Sequence, residues 1–181
     1  MAFVLTAIAS CGSREVLPTR SASVPAGIDL GGQWHIAPDS RDTIERLHNS
    51  EIAAAGGRSR LLPDARPTRS NDDSLVHIFV ETGESLKVTQ TDHALFISFD
   101  RAIVEEYRFG EYRTISVGEV TASRSSGWDD GGYLIETLDN DGSKLREHYL
   151  LSDDGQTLFR HITIYKRQSV ALSVVQRFER Q

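Results

Sequence analysis

The stretch Leu30-Gly31-Gly32-Gln33-Trp34-His35-Ile36 decides how this chain is read. In an extended strand, alternate residues Leu30, Gly32, Trp34 and Ile36 share one face, and Gly31, Gln33 and His35 share the other. The first face is apolar and expected to point inward, with Gly32 leaving room where a side chain would collide with a close neighbour. Trp34 is therefore expected near the start of a first β-strand, plugging one end of whatever the following strands enclose.

Downstream, Pro38 ends the strand and Asp39 or Ser40 can cap a helix through about Ala55. Ile44, Leu47 and Ile52 give that helix a narrow apolar stripe, and Gly56-Gly57 stops it. The narrow stripe suits a helix lying across a barrel or its mouth. Arg58 to Asp73 holds two prolines and four arginines without alternation, and reads as a long surface loop that is either functional or merely mobile. From Leu75 onward, short β-rich runs alternate with turn signals. They span 75–81, 86–91, 94–99, 103–109, 112–117, 120–125, 133–138, 144–151, 157–166 and 170–178. Gly127 to Gly132 reads as a glycine-rich turn, Asp139-Asn140-Asp141-Gly142 as a hairpin turn, and Asp153-Asp154-Gly155 as another. None of the connections holds a helical crossover, so each strand pairs antiparallel with the next, and closure removes the edges. The expected fold is all-β with one helix: an up-and-down antiparallel barrel of about 8–10 strands. Runs 75–81 and 94–99 carry apolar residues on both faces, which calls for an outer cover: the helix around Ile44 and Leu47, favoured because it needs no further component, or a partner protein.

Composition narrows the function classes. At 181 residues one domain is expected, and a net charge of −6 argues against nucleic acid and against a polybasic membrane surface. The single cysteine, Cys11, excludes an intrachain disulfide. Met1 to Ser10 is apolar, uncharged and ends in small residues, like the hydrophobic part of an export signal. Ile8-Ala9-Ser10-Cys11 resembles a bacterial lipobox, although no Lys or Arg precedes the apolar run. That resemblance implies cleavage before Cys11, acylation of Cys11 and attachment to the cell envelope. Gly12, in place of an aspartate, implies the outer membrane, facing the periplasm. The alternative is an uncleaved N-terminus with an incidental cysteine. Residues 1–10 are thus read as a signal segment, 11–27 as a flexible tether carrying two prolines, and 28–181 as the domain, with the helix and loop at 39–73.

Gly32-Gln33-Trp34 resembles the Gly-x-Trp of lipocalin and calycin barrels, in which the tryptophan closes the barrel floor and a late arginine packs across its ring. Arg177 and Arg180 are both available here. Arg180 is preferred because it shares a face with Phe178 and Val174. Tyr149-Leu150-Leu151-Ser152-Asp153-Asp154-Gly155 and the terminal Phe178-Glu179-Arg180 are similar to segments of uncharacterised bacterial lipocalin-like envelope proteins. The insertion between Asp39 and Asp73 departs from that pattern at the expected mouth.

Catalytic signatures are missing. The six histidines (His35, His48, His77, His93, His148 and His161) form no tight metal-ligand pair, although His148 and His161 lie on consecutive strands. Placing Gly142 or Gly155 at the sixth position of a calcium loop leaves Thr137 or Leu150 first and His148 or His161 last, where carboxylates are required. Glu105, Glu106 and Glu111 could include an acid–base pair, but adjacent strand residues point to opposite faces. Trp128 suits either recognition at an exposed turn or packing over the barrel end. No cofactor, metal or catalytic residue is expected. Two functional readings remain: a tethered barrel that binds a small apolar molecule or lipid, and a solid barrel that serves as a protein–protein interaction module. An enzyme is a distant third.

Overall fold

The computed structural model describes residues 15–56, 75–129 and 131–181. The signal segment, Cys11 and the Arg58–Asp73 loop lie outside the described residues. Ten strands form one antiparallel sheet: β1 Gly32–Ile36, β2 Ser85–Gln90, β3 Ala94–Phe99, β4 Ile103–Arg108, β5 Glu111–Val117, β6 Val120–Asp129, β7 Gly132–Asp139, β8 Ser143–Leu151, β9 Thr157–Lys166 and β10 Ser169–Arg180. The sheet runs β4-β3-β2-β1-β10-β9-β8-β7-β6-β5, a meander that curls round until β4 and β5 face each other. That last seam has no strand ladder. It is closed by side chains that donate to the main-chain carbonyls of β4: Arg113 to Glu106 at 3.1 Å, Ser126 to Arg108 at 3.0 Å and Tyr133 to Tyr107 at 3.0 Å.

The two ends differ. At the floor lies an apolar cluster that includes Leu30, Trp34, Tyr133, Leu158 and Phe178. Arg180, not Arg177, stacks on Trp34, its guanidinium carbon 4.2 Å from the ring centroid, while donating to the Gly31 carbonyl at 2.7 Å and the Gly155 carbonyl at 2.8 Å. The Trp34 indole donates to the Leu30 carbonyl at 3.1 Å. Gly32 is required here: a Cβ would sit 2.8 Å from Arg180 Nη1. Arg177 points outward to Asp39 and Glu179. Trp128 belongs to β6 rather than to a turn. Only 3% exposed, it packs at the floor edge-on to Tyr133 and Phe109, at centroid separations of 5.2 and 5.5 Å. The Gly127–Gly132 turn is thus shorter than its glycines suggest, and the exposed-recognition reading of Trp128 does not hold.

At the mouth a 3-10 turn at Pro38–Ser40 leads into α1, Asp42–Gly56. Asp39 and Ser40 face Arg177 rather than capping the helix through their side chains. Leu47 is buried, Ile44 partly so, and Ile52 is exposed. Five residues on from Leu47 is a rotation of about 140°, off the buried stripe. Residues Leu75–Phe79, expected to be a strand, form a 3-10 helix, the plug helix, which seats Val76 and Phe79 among Leu145, Ile162, Ile164 and Val174. Both of its faces are apolar because it sits inside the mouth. The helix α1 covers this plug and does not lie on the outer face of β3, as the both-sided apolar pattern suggested.

The segment read as a tether is also corrected. Residues 15–21 form a strap along the outer face of β6 to β8. Leu17 is 3% exposed, the Ser125 hydroxyl donates to the Pro18 carbonyl at 2.7 Å, and Ser21 makes a β-bridge with Trp128. Arg20 donates to Asp129 at 2.7 Å and pairs with the buried Glu136. The strap explains why every residue of β7 is buried, the inner face by the core and the outer by the strap. It passes where side chains are missing: a Cβ on Gly127 would lie 2.6 Å from the Ser21 carbonyl oxygen, and one on Gly110 3.1 Å from Ala22 Cβ. Arg20→Ala leaves Glu136 without its partner and is expected to lower the unfolding free energy by about 2–3 kcal/mol in urea titration. A free tether would give no change.

Candidate ligand site inside the barrel

Strand alternation points a polar residue inward on each of six strands, and side-chain hydrogen bonds join Glu105 on β4, Arg124 on β6 and Thr137 on β7 in one group and Glu147 on β8, Arg160 on β9 and Gln176 on β10 in another. They form a belt between the aromatic floor cluster and the aliphatic mouth cluster. Burying two guanidinium groups this way is costly unless each is paired and hydrogen-bonded.

Arg160 meets that condition in full. Its Nε lies 3.1 Å from Glu147 Oε1, and Nη2 donates to the same oxygen. Nη1 donates to Gln176 Oε1 at 3.1 Å and to the Glu81 carbonyl at 2.8 Å. The guanidinium lies 4.5 Å above the Phe99 ring. Gln176 passes the chain of hydrogen bonds to Thr43 at the start of α1, at 3.2 Å, so the belt also fixes the helix over the mouth.

Arg124 does not. Its Nε donates to Thr137 at 3.1 Å and Nη1 to Glu105 at 3.0 Å, with the Tyr107 and Phe79 rings 5.3 and 5.7 Å away. Nη2 is buried and has no hydrogen-bond partner among the described residues. It is a charged donor group facing the boundary between the belt and the plug helix. Glu81, just beyond the plug, has its carboxyl pushed up by burial and then by the Glu105 charge. Burial, and to a smaller degree Glu147, raises the Tyr107 hydroxyl.

The expected acid–base candidates separate. Glu105 enters the barrel, whereas Glu106 points outward to Arg108 and Glu111 pairs with Arg113. His148 and His161 are register partners on the outer face of β8 and β9. Among the described residues no group of three or more His, Cys, Asp or Glu side chains could hold a metal ion. Neither Arg124 nor Arg160 was singled out from the sequence, although a signal existed: each is a charged residue on the inward face of its strand, Arg160 between Leu158 and Ile162.

The described recesses lie outside the barrel. One of about 510 Å³ runs along the outer surface of β1 to β4 past Gln33, Lys87, Ser98 and Val104. One of about 420 Å³ lies among Glu15, the β7–β8 turn and the β9–β10 turn. In the barrel interior, the mouth half is filled by Val76 and Phe79 of the plug.

No protein-family model and no curated protein matches the chain. Several solved structures are similar over most of its length, two of them as follows. One is apo lipid binding protein 8 of Caenorhabditis elegans, 10% identical, with 86% of this chain and 100% of that one covered and a TM-score of 0.52. The other is a Schistosoma mansoni fatty acid binding protein in complex with arachidonic acid, 9% identical, with 84% and 96% covered and a TM-score of 0.50.

Two measurements test the belt. Arg160→Met strands the Glu147 carboxylate and is expected to cost about 3–5 kcal/mol in urea unfolding, much of it restored in the Arg160→Met/Glu147→Leu double variant. His77 on the plug is held below its ordinary value of 6.5, first by burial and further by Lys166, with Glu51 opposing. The unfolded chain takes up that proton first, so the stability this histidine supports is intact above pH 6.5 and is lost as the pH falls below it. His148 is lowered too, by burial, and acts in the same direction. Unfolding titrations between pH 7.5 and 5.5 should therefore show stability falling with acid, less steeply in His77→Gln.

The seam closed by side chains, the aromatic floor, the α-helix over the mouth and the structural likenesses agree on the architecture: a ten-stranded antiparallel barrel with a lipocalin-like fold.

Proposed function

We propose that this protein is a binding barrel, not an enzyme, that takes a small apolar molecule carrying an acid group into the mouth half of its interior. The observation that carries the reading is Arg124 Nη2, a buried cationic donor without a partner among the described residues. An acid group of the ligand would accept from it, and a charge-assisted hydrogen bond in such surroundings contributes about 1.5–3 kcal/mol. The apolar part would take the place of Val76 and Phe79 against Leu145, Ile162, Ile164 and Val174, so that one apolar occupant replaces another when the plug helix withdraws. The two similar structures are named as lipid and fatty acid binding proteins, which is consistent with this reading. We further propose that Cys11 is lipidated and tethers the barrel to the bacterial envelope, at the outer membrane facing the periplasm, on the strength of Ile8-Ala9-Ser10-Cys11.

A second reading has its own observation. The belt around Arg160 is internally satisfied and the plug fills the mouth. A barrel that stays in this state would serve as a rigid scaffold for a protein partner in the envelope.

The two separate in a displacement assay on the lipid-free domain, using an anionic naphthalene-sulfonate dye and long-chain carboxylates as competitors. Carboxylates should displace the dye, their neutral alcohol counterparts should do so at least tenfold less well, and Arg124→Gln should weaken the carboxylates by roughly 10- to 100-fold while leaving the alcohols unchanged. Absence of any saturable binding would remove the carrier reading and leave the scaffold.

A further inference from the structure

The strap has a direction, and the direction has a consequence for how the barrel meets a membrane. Its Ser21 end lies at the floor, bridged to Trp128. Its Glu15 end lies at the mouth, where the carboxylate pairs with Lys144 at the start of β8 and sits in the recess between the β7–β8 and β9–β10 turns. Between these ends Leu17, Pro18 and Arg20 fix the path on β6 and β7.

We infer that the mouth end of the barrel is the face applied to the lipid bilayer; the inference rests on the proposed acylation of Cys11. Glu15 is four positions on from Cys11, and a fully extended chain spans at most about 14 Å over that distance. The six steps of the strap from Glu15 to Ser21 carry the floor roughly 20 Å further away. An acyl anchor at Cys11 therefore reaches the bilayer beside the mouth and cannot reach it beside the floor unless the strap peels off. Peeling would expose Leu17 and leave Glu136 unpaired.

The surface at that end suits the occupant. Ile52 on α1, Val117 at the end of β5 and Val170 at the start of β10 are 53%, 48% and 60% exposed, and all three lie at the mouth. Arg167 stands in the turn next to the Glu15 recess, long enough to keep its charge among lipid head groups while its stem contacts apolar surface. Acidic residues Glu119 and Asp141 occupy the neighbouring turns, so the match is to a weakly charged interface rather than a strongly anionic one. In this orientation the plug helix opens toward the membrane, and an apolar molecule passes between bilayer and barrel without crossing water.

The test uses the full chain, processed in a bacterial host and reconstituted into phosphatidylcholine vesicles containing a doxyl-labelled quencher lipid. Environment-sensitive fluorophores are placed at Val117→Cys and Val170→Cys for the mouth, and at His93→Cys and Asp153→Cys for the floor, with the mass of each sample establishing that Cys11 carries lipid. Strong quenching at the two mouth sites with little at the floor sites is expected. Inserting about twenty Gly/Ser residues between Ser13 and Arg14, which lengthens the reach by roughly 25 Å, should abolish the contrast. Equal or greater quenching at the floor overturns the orientation while the tether stands, and a contrast that survives the insertion overturns the short reach from Cys11 as its cause. A chain with no lipid on Cys11 removes the tether and the orientation with it.

Discussion

The Arg160–Glu147 pair, buried at mid-height in the barrel, is the constraint around which the rest is arranged. An ion pair taken out of water is tolerated only if its remaining donors and acceptors are met. Gln176, the Glu81 carbonyl and the Phe99 ring meet those of Arg160. Doing so divides the interior into an aromatic floor and an aliphatic mouth. It also ties three distant parts of the chain together: β8 to β10, the stretch after the plug helix, and through Thr43 the start of α1.

With the floor closed by Trp34, Trp128, Tyr133 and Arg180, and the belt occupied by charge, the part of the interior that could change occupant is the one the plug fills beside Arg124. The plug helix is the piece of the structure that can be exchanged for a ligand without dismantling a strand ladder. Its contacts with the barrel include those of Val76, Ile78 and Phe79, an apolar surface of the type an apolar ligand would also provide. His77 rides on the same helix and disfavours protonation there, so acid conditions weaken the seat from inside.

Much of the architecture is legible in the sequence because period-two alternation and glycine-rich turns are local signals. The meander, the inward face of Gly32-Gln33-Trp34 and the choice of Arg180 over Arg177 follow from which residues share a strand face. Three features escape that logic. Leu75 to Phe79 is apolar at every position but His77, which looks like a strand covered on both sides and is also what a short helix inside a barrel requires. Residues 15–21 carry no periodicity, and their packing depends on Gly110 and Gly127, about a hundred residues away. The belt arginines belong to a set of six strands that meet only when the barrel closes. A charge on an apolar inward face was visible at Arg160, but its partners were not.

The central claim is that the buried donor of Arg124, without a partner among the described residues, marks a site for an acid-bearing apolar molecule. Native mass spectrometry of the freshly purified domain tests it most directly. The account predicts a bound apolar acid on the unaltered protein, released when the solution is made denaturing, and a loss of that species in Arg124→Gln. A bare protein mass for both chains, after incubation with excess long-chain carboxylate, would contradict it.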